Sequence, residues 1–178
     1  MTGSSEPGIR LLFDEAAIAA RVETLAQELA EDDFLEPLVV PVLKGSFVFA
    51  ADLLRALHRA GVKPEVEFMH LSSYGDKLTS SGTIKIIRDV EGDISGRDIL
   101  LVDDILESGR TLAFSKTHLL ERGARRVAIV AFLDKPGKRK AEIEADYVGF
   151  ECPDKFVVGY GMDARHAWRQ LPYIGSID

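Results

Sequence analysis

Ile99-Leu100-Leu101-Val102 is an unbroken apolar run, and two carboxylates, Asp103 and Asp104, follow it at once. Consecutive apolar residues with no alternation suit a strand buried on both faces, the situation of a parallel sheet covered by helices. Two adjacent acids cannot enter such a core unpaired. The strand is therefore expected to end at Asp103-Asp104. Ile105-Leu106-Glu107-Ser108-Gly109-Arg110-Thr111 then forms a short turn, and Thr111 to Arg122 reads as a helix closed by Gly123.

That order has a chemical meaning. In open parallel sheets, ligands bind at the carboxyl ends of strands. The start of a helix leaves N–H groups free, and these favour a phosphate. Ser108 and Thr111 add hydroxyl donors, and Gly109 lets the backbone approach closely. Asp103 and Asp104 suit sugar hydroxyls, or a hard cation that bridges to the ligand. The plainer alternative is that the two acids only cap a helix. The glycine–lysine pattern of a P-loop is absent, as is a dinucleotide fingerprint.

The rest of the 178 residues alternates strand-like and helix-like segments, which predicts an α/β domain with a mainly parallel central sheet flanked by helices. Glu15 to Ala30 reads as a helix capped by Asp14, with Ile18, Val22, Leu25 and Leu29 on one face. Leu38 to Leu43 reads as a buried strand blemished by Pro41, and Phe47 to Ala60 as a helix ended by Gly61. Further strands are expected at Val66–Leu71, Thr83–Ile87, Val127–Leu133, Tyr147–Phe150 and Phe156–Val158. Between them, Ser72 to Thr83 is polar and glycine-bearing and reads as a long loop of the kind that covers active sites. Residues 1–10 read as a loose tail on a single domain covering 1–178.

The net charge of −7 and a pI near 5.2 argue against a nucleic-acid backbone as partner. An anionic ligand must then be held locally, by a few cations, backbone N–H groups or a metal. Cys152 is the single cysteine, which excludes an internal disulfide and suits a reducing compartment. The first residues lack a signal pattern, and no apolar run reaches the length of a membrane span, so a cytoplasmic protein without a membrane partner is expected. His58, His70, His118 and His166 are not spaced as a metal cluster or a catalytic dyad. Lys138-Arg139-Lys140, followed by Glu142 and Glu144, reads as a solvated loop face.

Taken together, these segments resemble the type I phosphoribosyltransferases, and within them the hypoxanthine-guanine phosphoribosyltransferase family. The turn at Asp103–Thr111 resembles the phosphoribosyl pyrophosphate loop, and Val42-Leu43-Lys44-Gly45-Ser46 the pyrophosphate loop. Ser73-Tyr74 resembles the lid. Leu133-Asp134-Lys135-Pro136 and Asp146 to Glu151 resemble base-side elements, and Pro153 to Asp163 the hood. The order is that of the family, over roughly residues 10 to 175. The resemblance implies a small hood formed by the chain ends, Mg²⁺ as cofactor, phosphoribosyl pyrophosphate and hypoxanthine or guanine as substrates, and a homodimer or homotetramer.

It also implies residue roles. Lys135 donates to the purine 6-oxo group, Phe156 stacks on the ring, and the backbone of Val157 reads the base edge. Asp163 holds the metal, with Asp103 and Asp104 as acceptors for the ribose hydroxyls or the metal. Arg169 contacts pyrophosphate, as do Lys44 and Gly45 through backbone groups, and the Leu43–Lys44 peptide can be cis. Ser108, Gly109, Arg110 and Thr111 hold the phosphate, while Ser73 and Tyr74 close over the reacting centre. Standing alone, Lys135 reads as a solvated lysine, while Phe156 reads equally as strand core and Asp163 equally as a turn residue. Arg165 is a further cation without an assigned role.

One departure stands out. Glu107 occupies the position where the family usually has aspartate, the general base that interacts with purine N7. The longer side chain moves the carboxylate out by roughly 1.3–1.5 Å, and a misplacement of that size can cost about a hundredfold in rate. Asp103, where glutamate is common, is a milder change. Two readings stand beside salvage of hypoxanthine and guanine: a nucleotide-sensing regulator on the same fold, and a xanthine-preferring enzyme.

Overall fold

The computed structural model describes residues 8–74 and 83–177. Along the chain come β1 (Ile9–Phe13), α1 (Glu15–Ala30), β2 (Leu38–Leu43), α2 (Phe47–Arg59), β3 (Glu65–Val66), β4 (Met69–Tyr74), β5 (Thr83–Arg88), β6 (Asp98–Leu106), α3 (Arg110–Glu121), β7 (Arg126–Asp134), β8 (Tyr147–Glu151), β9 (Phe156–Val158) and β10 (Ile174–Ile177). The main sheet runs β5-β4-β2-β6-β7-β8, with β3 beside the start of β2. Its pairings are parallel except for β5, which lies antiparallel to β4.

The unbroken apolar runs are explained by burial on both faces. Leu38, Val40, Val42, Ile99, Leu101, Ile129 and Ala131 form one core with Leu112 and Leu119 of α3. Val39, Leu100, Val102, Ala128, Val130 and Phe132 point the other way, onto Leu25 and Leu29 of α1 and Phe49 and Leu53 of α2. Asp14 caps α1, its Oδ1 accepting from Ala17 N at 2.8 Å. No helix among the described residues is long and apolar enough to cross a membrane.

Two differences from the expected strands have local causes. The strand expected at Val66–Leu71 is split into β3 and β4 opposite Pro41. Val39 C=O accepts from Glu67 N at 3.0 Å, but two residues on Pro41 has no N–H to continue that side of the ladder. β6 does not stop at Val102. It loses β2 after the Pro41–Val102 pair, yet β7 continues beside it as far as Leu106, opposite Asp134. The two acids therefore lie on a strand with one open side.

A second sheet, β1-β10-β9, is antiparallel and joins the two ends of the chain, as expected for the hood. Sequence reasoning missed β1 and β10. The loose tail expected over residues 1–10 is cut short, because Ile9 and Arg10 pair with Ile177 and Ser176; residues 1–7 lie outside the described part. The expected loop from Ser72 also begins later, since β4 keeps pairing with β5 through Tyr74.

Asp98 opens β6 with its side chain fully buried. It accepts from Leu35 N and Arg125 Nε, both at 2.8 Å, and also pairs with the Arg125 Nη2 group. Removing a buried acceptor leaves its donors unsatisfied. Asp98→Ala is expected to lower unfolding free energy by roughly 3 kcal/mol, read from urea denaturation. A loss below about 0.5 kcal/mol would show that the pairing does not anchor β6.

Candidate active site

Beyond Val102 the gap left by β2 is filled by the loop that follows β2. The Leu43–Lys44 peptide in that loop is cis. A Cβ placed on Gly45 would overlap the Asp104 carboxylate, and one on Gly161 would overlap the Gly45 carbonyl. Three segments distant in sequence therefore meet backbone to side chain and backbone to backbone: the turn after β2, the acids on β6 and the hood loop. Only glycine permits the approach.

Asp103 Oδ1 accepts from Asp104 N at 2.9 Å, and Asp104 Oδ1 from Ile105 N at 2.8 Å. Neither acid forms a salt bridge among the described residues. Burial pushes both carboxyl groups above their usual range, Asp103 further because the Asp104 charge lies beside it. Both side chains keep a solvent-facing edge. A desolvated pair of carboxylates with an open side is a donor set that fits a hard cation. Among the described residues no three His, Cys, Asp or Glu side chains converge to cage a metal. Such a cation would thus complete its shell from the ligand and water.

After β6 the chain turns through Glu107 and Ser108, and Gly109 takes φ 78° to start α3. The first helical bond is Ala113 N to Gly109 C=O at 2.9 Å, so the N–H groups of the preceding turn stand outside the ladder. Ser108 and Thr111 line a cavity of about 140 Å³ with Asp103, Glu107 and Gly109. A larger groove of about 610 Å³ runs between α1, α2 and the hood and includes Arg169, Tyr160 and Phe47. It contains neither the acid pair nor the helix start.

Lys135 is set beside that cavity by the chain, because its N–H bonds to Leu106 C=O at 2.9 Å. Its side chain is only 7% exposed, and its Nζ lies 3.6 Å from Glu107 Oε1, which is 47% exposed. The solvated-lysine reading is thus overturned. Cys152 is buried nearby, its N–H on Asp134 C=O at 2.8 Å. Burial pushes its thiol up, the Lys135 charge opposing and the Glu107 charge adding to it in smaller measure, in keeping with a structural cysteine. Phe156 on β9 is 58% exposed and Val157 is buried, so Phe156 offers an open ring face rather than strand core.

The hood loop is bound tightly to itself. Gly159 and Met162 exchange backbone bonds at 3.0 Å, and Arg169 Nη1 donates to Gly161 C=O at 2.7 Å. Asp163 is committed on both oxygens, Oδ1 to Arg169 Nη2 and Oδ2 to His166 N, each at 2.8 Å. Arg165 and His166 both take positive φ, 51° and 69°, at the tip of a two-residue turn between Ala164 and Ala167. Arg165 is exposed there, and no contact explains it. Lys44 and Arg110 are exposed at the mouths of their loops. Ser73 and Tyr74 lie on β4 opposite Ile84 and Thr83; their side chains and the lid stretch 75–82 lie outside the described residues.

Sequence reasoning missed Arg139. It is half-buried between two exposed lysines and bonds to the turn carrying Glu107. Composition gives no signal for it, since Lys138-Arg139-Lys140 is uniformly basic.

The phosphoribosyl transferase domain family matches residues 11–165. A hypoxanthine-guanine phosphoribosyltransferase of Bacillus subtilis (strain 168) is 46% identical over 171 residues, 94% of this chain and 92% of that protein. One of the same description from Aquifex aeolicus is 45% identical over 172 residues, 96% of this chain and 95% of that protein. A crystal structure of a hypoxanthine phosphoribosyltransferase from Staphylococcus aureus superposes with a TM-score of 0.88 at 41% identity, covering 95% of this chain and 91% of that one.

The contact of Gly45 with Asp104 gives a direct test of the site geometry. Gly45→Ala is expected to displace the acid and lower activity on the order of a hundredfold with unchanged far-UV circular dichroism. Activity within threefold of wild type would show that the two loops need not touch.

Proposed function

The chain belongs to the phosphoribosyl transferase domain family and, within it, to the hypoxanthine-guanine phosphoribosyltransferases, and from that premise we propose how it transfers a phosphoribosyl group from phosphoribosyl pyrophosphate to hypoxanthine or guanine. The products are IMP or GMP and pyrophosphate. The observation that carries the reading is the Lys135–Glu107 pair, a donor and an acceptor 3.6 Å apart at the carboxyl end of the sheet. A 6-oxopurine presents O6 and N7 side by side on one edge, so it can take Lys135 at O6 and Glu107 at N7. A buried ammonium prefers a carbonyl oxygen to the 6-amino donor of adenine.

The bond that forms joins a purine ring nitrogen to ribose C1, and the bond that breaks joins C1 to the pyrophosphate oxygen. Glu107 takes the purine proton, which for a well-placed base contributes about 10²–10⁴-fold. The N–H groups before Ala113 that stand outside the helical ladder, with Ser108, Arg110 and Thr111, hold the 5′-phosphate. Asp103 and Asp104 orient the ribose hydroxyls. Lys44 and Gly45 hold the pyrophosphate through backbone groups, and Arg169 balances its charge as it leaves. Asp103 and Asp104 would hold Mg²⁺, with Asp163 assigned to it on the family's pattern, and the ion would neutralise pyrophosphate charge when bound. Phe156 stacks on the base, and the backbone of Val157 reads its edge. Ser73 and Tyr74 are assigned to exclusion of water on the family's pattern. The charge of −7 and the buried lone thiol support small-molecule substrates and a cytoplasmic setting. Family likeness supports a homodimer or homotetramer of a single-domain chain.

Nucleotide formation with Mg²⁺ and each base in turn tests the proposal. Hypoxanthine and guanine should turn over, with kcat/KM for adenine lower by at least about 10³-fold. Adenine used as well as hypoxanthine would remove Lys135 from its role. Glu107→Gln should lower kcat by about 10²–10⁴-fold; a rate within threefold of wild type would dismiss Glu107 as the base.

A further inference from the structure

Arg139 makes three hydrogen bonds that meet at the site. Its Nη1 donates to Leu106 C=O at 3.1 Å and to Glu107 C=O at 2.9 Å. Its Nη2 donates to Asp134 Oδ1 at 2.6 Å. Asp134 immediately precedes Lys135, whose Nζ lies 3.6 Å from Glu107 Oε1. One planar guanidinium therefore joins the backbone that carries the proton-handling carboxylate to the residue next to the base-reading lysine.

The clasp is wider than one side chain. Ser108 C=O accepts from both Lys140 N and Ala141 N, at 2.8 and 3.1 Å. A Cβ at Gly109 would press on Ile143 Cγ2 and Arg139 Cδ. The segment 139–143 thus packs along the turn 106–109. Arg139 and Asp134 side chains are 17% and 21% exposed, so their charge pairing is largely shielded from solvent. The neighbouring cations do not share the role: Lys138 pairs outward with Asp154 at 3.0 Å, and Lys140 is exposed.

We infer that Arg139 is a positioning residue that sets the separation of Glu107 and Lys135, and so the fit of the 6-oxopurine edge between them. The inference rests on the roles given to Glu107 and Lys135 above. It also gives the Glu107 departure a physical frame. The position of a longer carboxylate depends on where its backbone is held, and Arg139 holds the carbonyl of that residue and of the one before. The fork matters as well as the charge, because a lysine ammonium is a point donor that lacks the two terminal nitrogens with which Arg139 reaches its three acceptors.

A double-mutant cycle separates positioning from general stability. Arg139→Gln, Arg139→Lys, Glu107→Gln and the two double variants are compared for kcat and for KM of hypoxanthine and of phosphoribosyl pyrophosphate, with thermal unfolding alongside. In the Glu107 background, Arg139→Gln should lower kcat/KM for hypoxanthine on the order of 10–100-fold, with KM for phosphoribosyl pyrophosphate within about threefold. Arg139→Lys should rescue less than half of that loss on a logarithmic scale. In the Glu107→Gln background the same change should cost less than about threefold, because there is no base left to misplace. Equal losses in both backgrounds, or full rescue by lysine, overturn the inference. If Arg139→Gln does not fold, the cycle is read with Arg139→Lys, and additive losses there overturn it equally. A Glu107→Gln enzyme with undiminished kcat would instead sink the base assignment itself, and is recognised from that single variant.

Discussion

A strand covered by helices on both faces has no room for an unpaired charge, and β6 carries two carboxylates near its end. Ile99 to Val102 are fully buried, and each is matched on β2 and on β7. After Val102 the β2 neighbour is gone, and only β7 remains. Asp103 and Asp104 occupy that half-open stretch, where they stay hydrogen-bonded to the following backbone and Asp104 faces the loop after β2. The site is a consequence of where one neighbour leaves. A sheet in which β2 ran on would have to bury both carboxylates without a partner, at a cost of several kcal/mol each.

The walls of that opening are held by close backbone approach and by two arginine side chains. Gly45 rests on Asp104, and Gly161 on Gly45. The hood brings Asp163 and Arg169 to the same place as an ion pair. On the opposite wall, Arg139 and the N–H groups of Lys140 and Ala141 brace the turn that carries Glu107 and Ser108. Rigid walls of this kind suit a reaction that depends on orienting two substrates and stabilising a leaving group, since misplacement by an ångström is costly.

Much of this was legible in the chain, and the reasons are physical. Burial on both faces leaves continuous apolar runs, so β2, β6 and β7 could be read directly, and α1 was read to its final residue because Asp14 caps it and its apolar positions recur at helical spacing. The ends β1 and β10 were not read. Each is stabilised by pairing with the other across almost the whole chain, and short segments such as Ile174-Gly175-Ser176-Ile177 have no local pattern that announces such a partner. The end of β6 was misplaced for a related reason: charge predicted a stop, while pairing with β7 prolonged the strand. Among site residues, motif resemblance supplied Lys135, yet only the fold shows it buried against Glu107. Arg139 shares its composition with two solvated lysines, and its direction is set by tertiary contacts that no window of sequence contains.

The central claim is that a 6-oxopurine is gripped between Lys135 and Glu107 above the acid pair. A crystal structure of the protein with IMP tests it most directly. The account predicts O6 within hydrogen-bond distance of Lys135 Nζ, N7 within reach of the Glu107 carboxylate, and the 5′-phosphate at the start of α3. A base bound elsewhere, with Lys135 and Glu107 still facing each other across an unliganded gap, would contradict it.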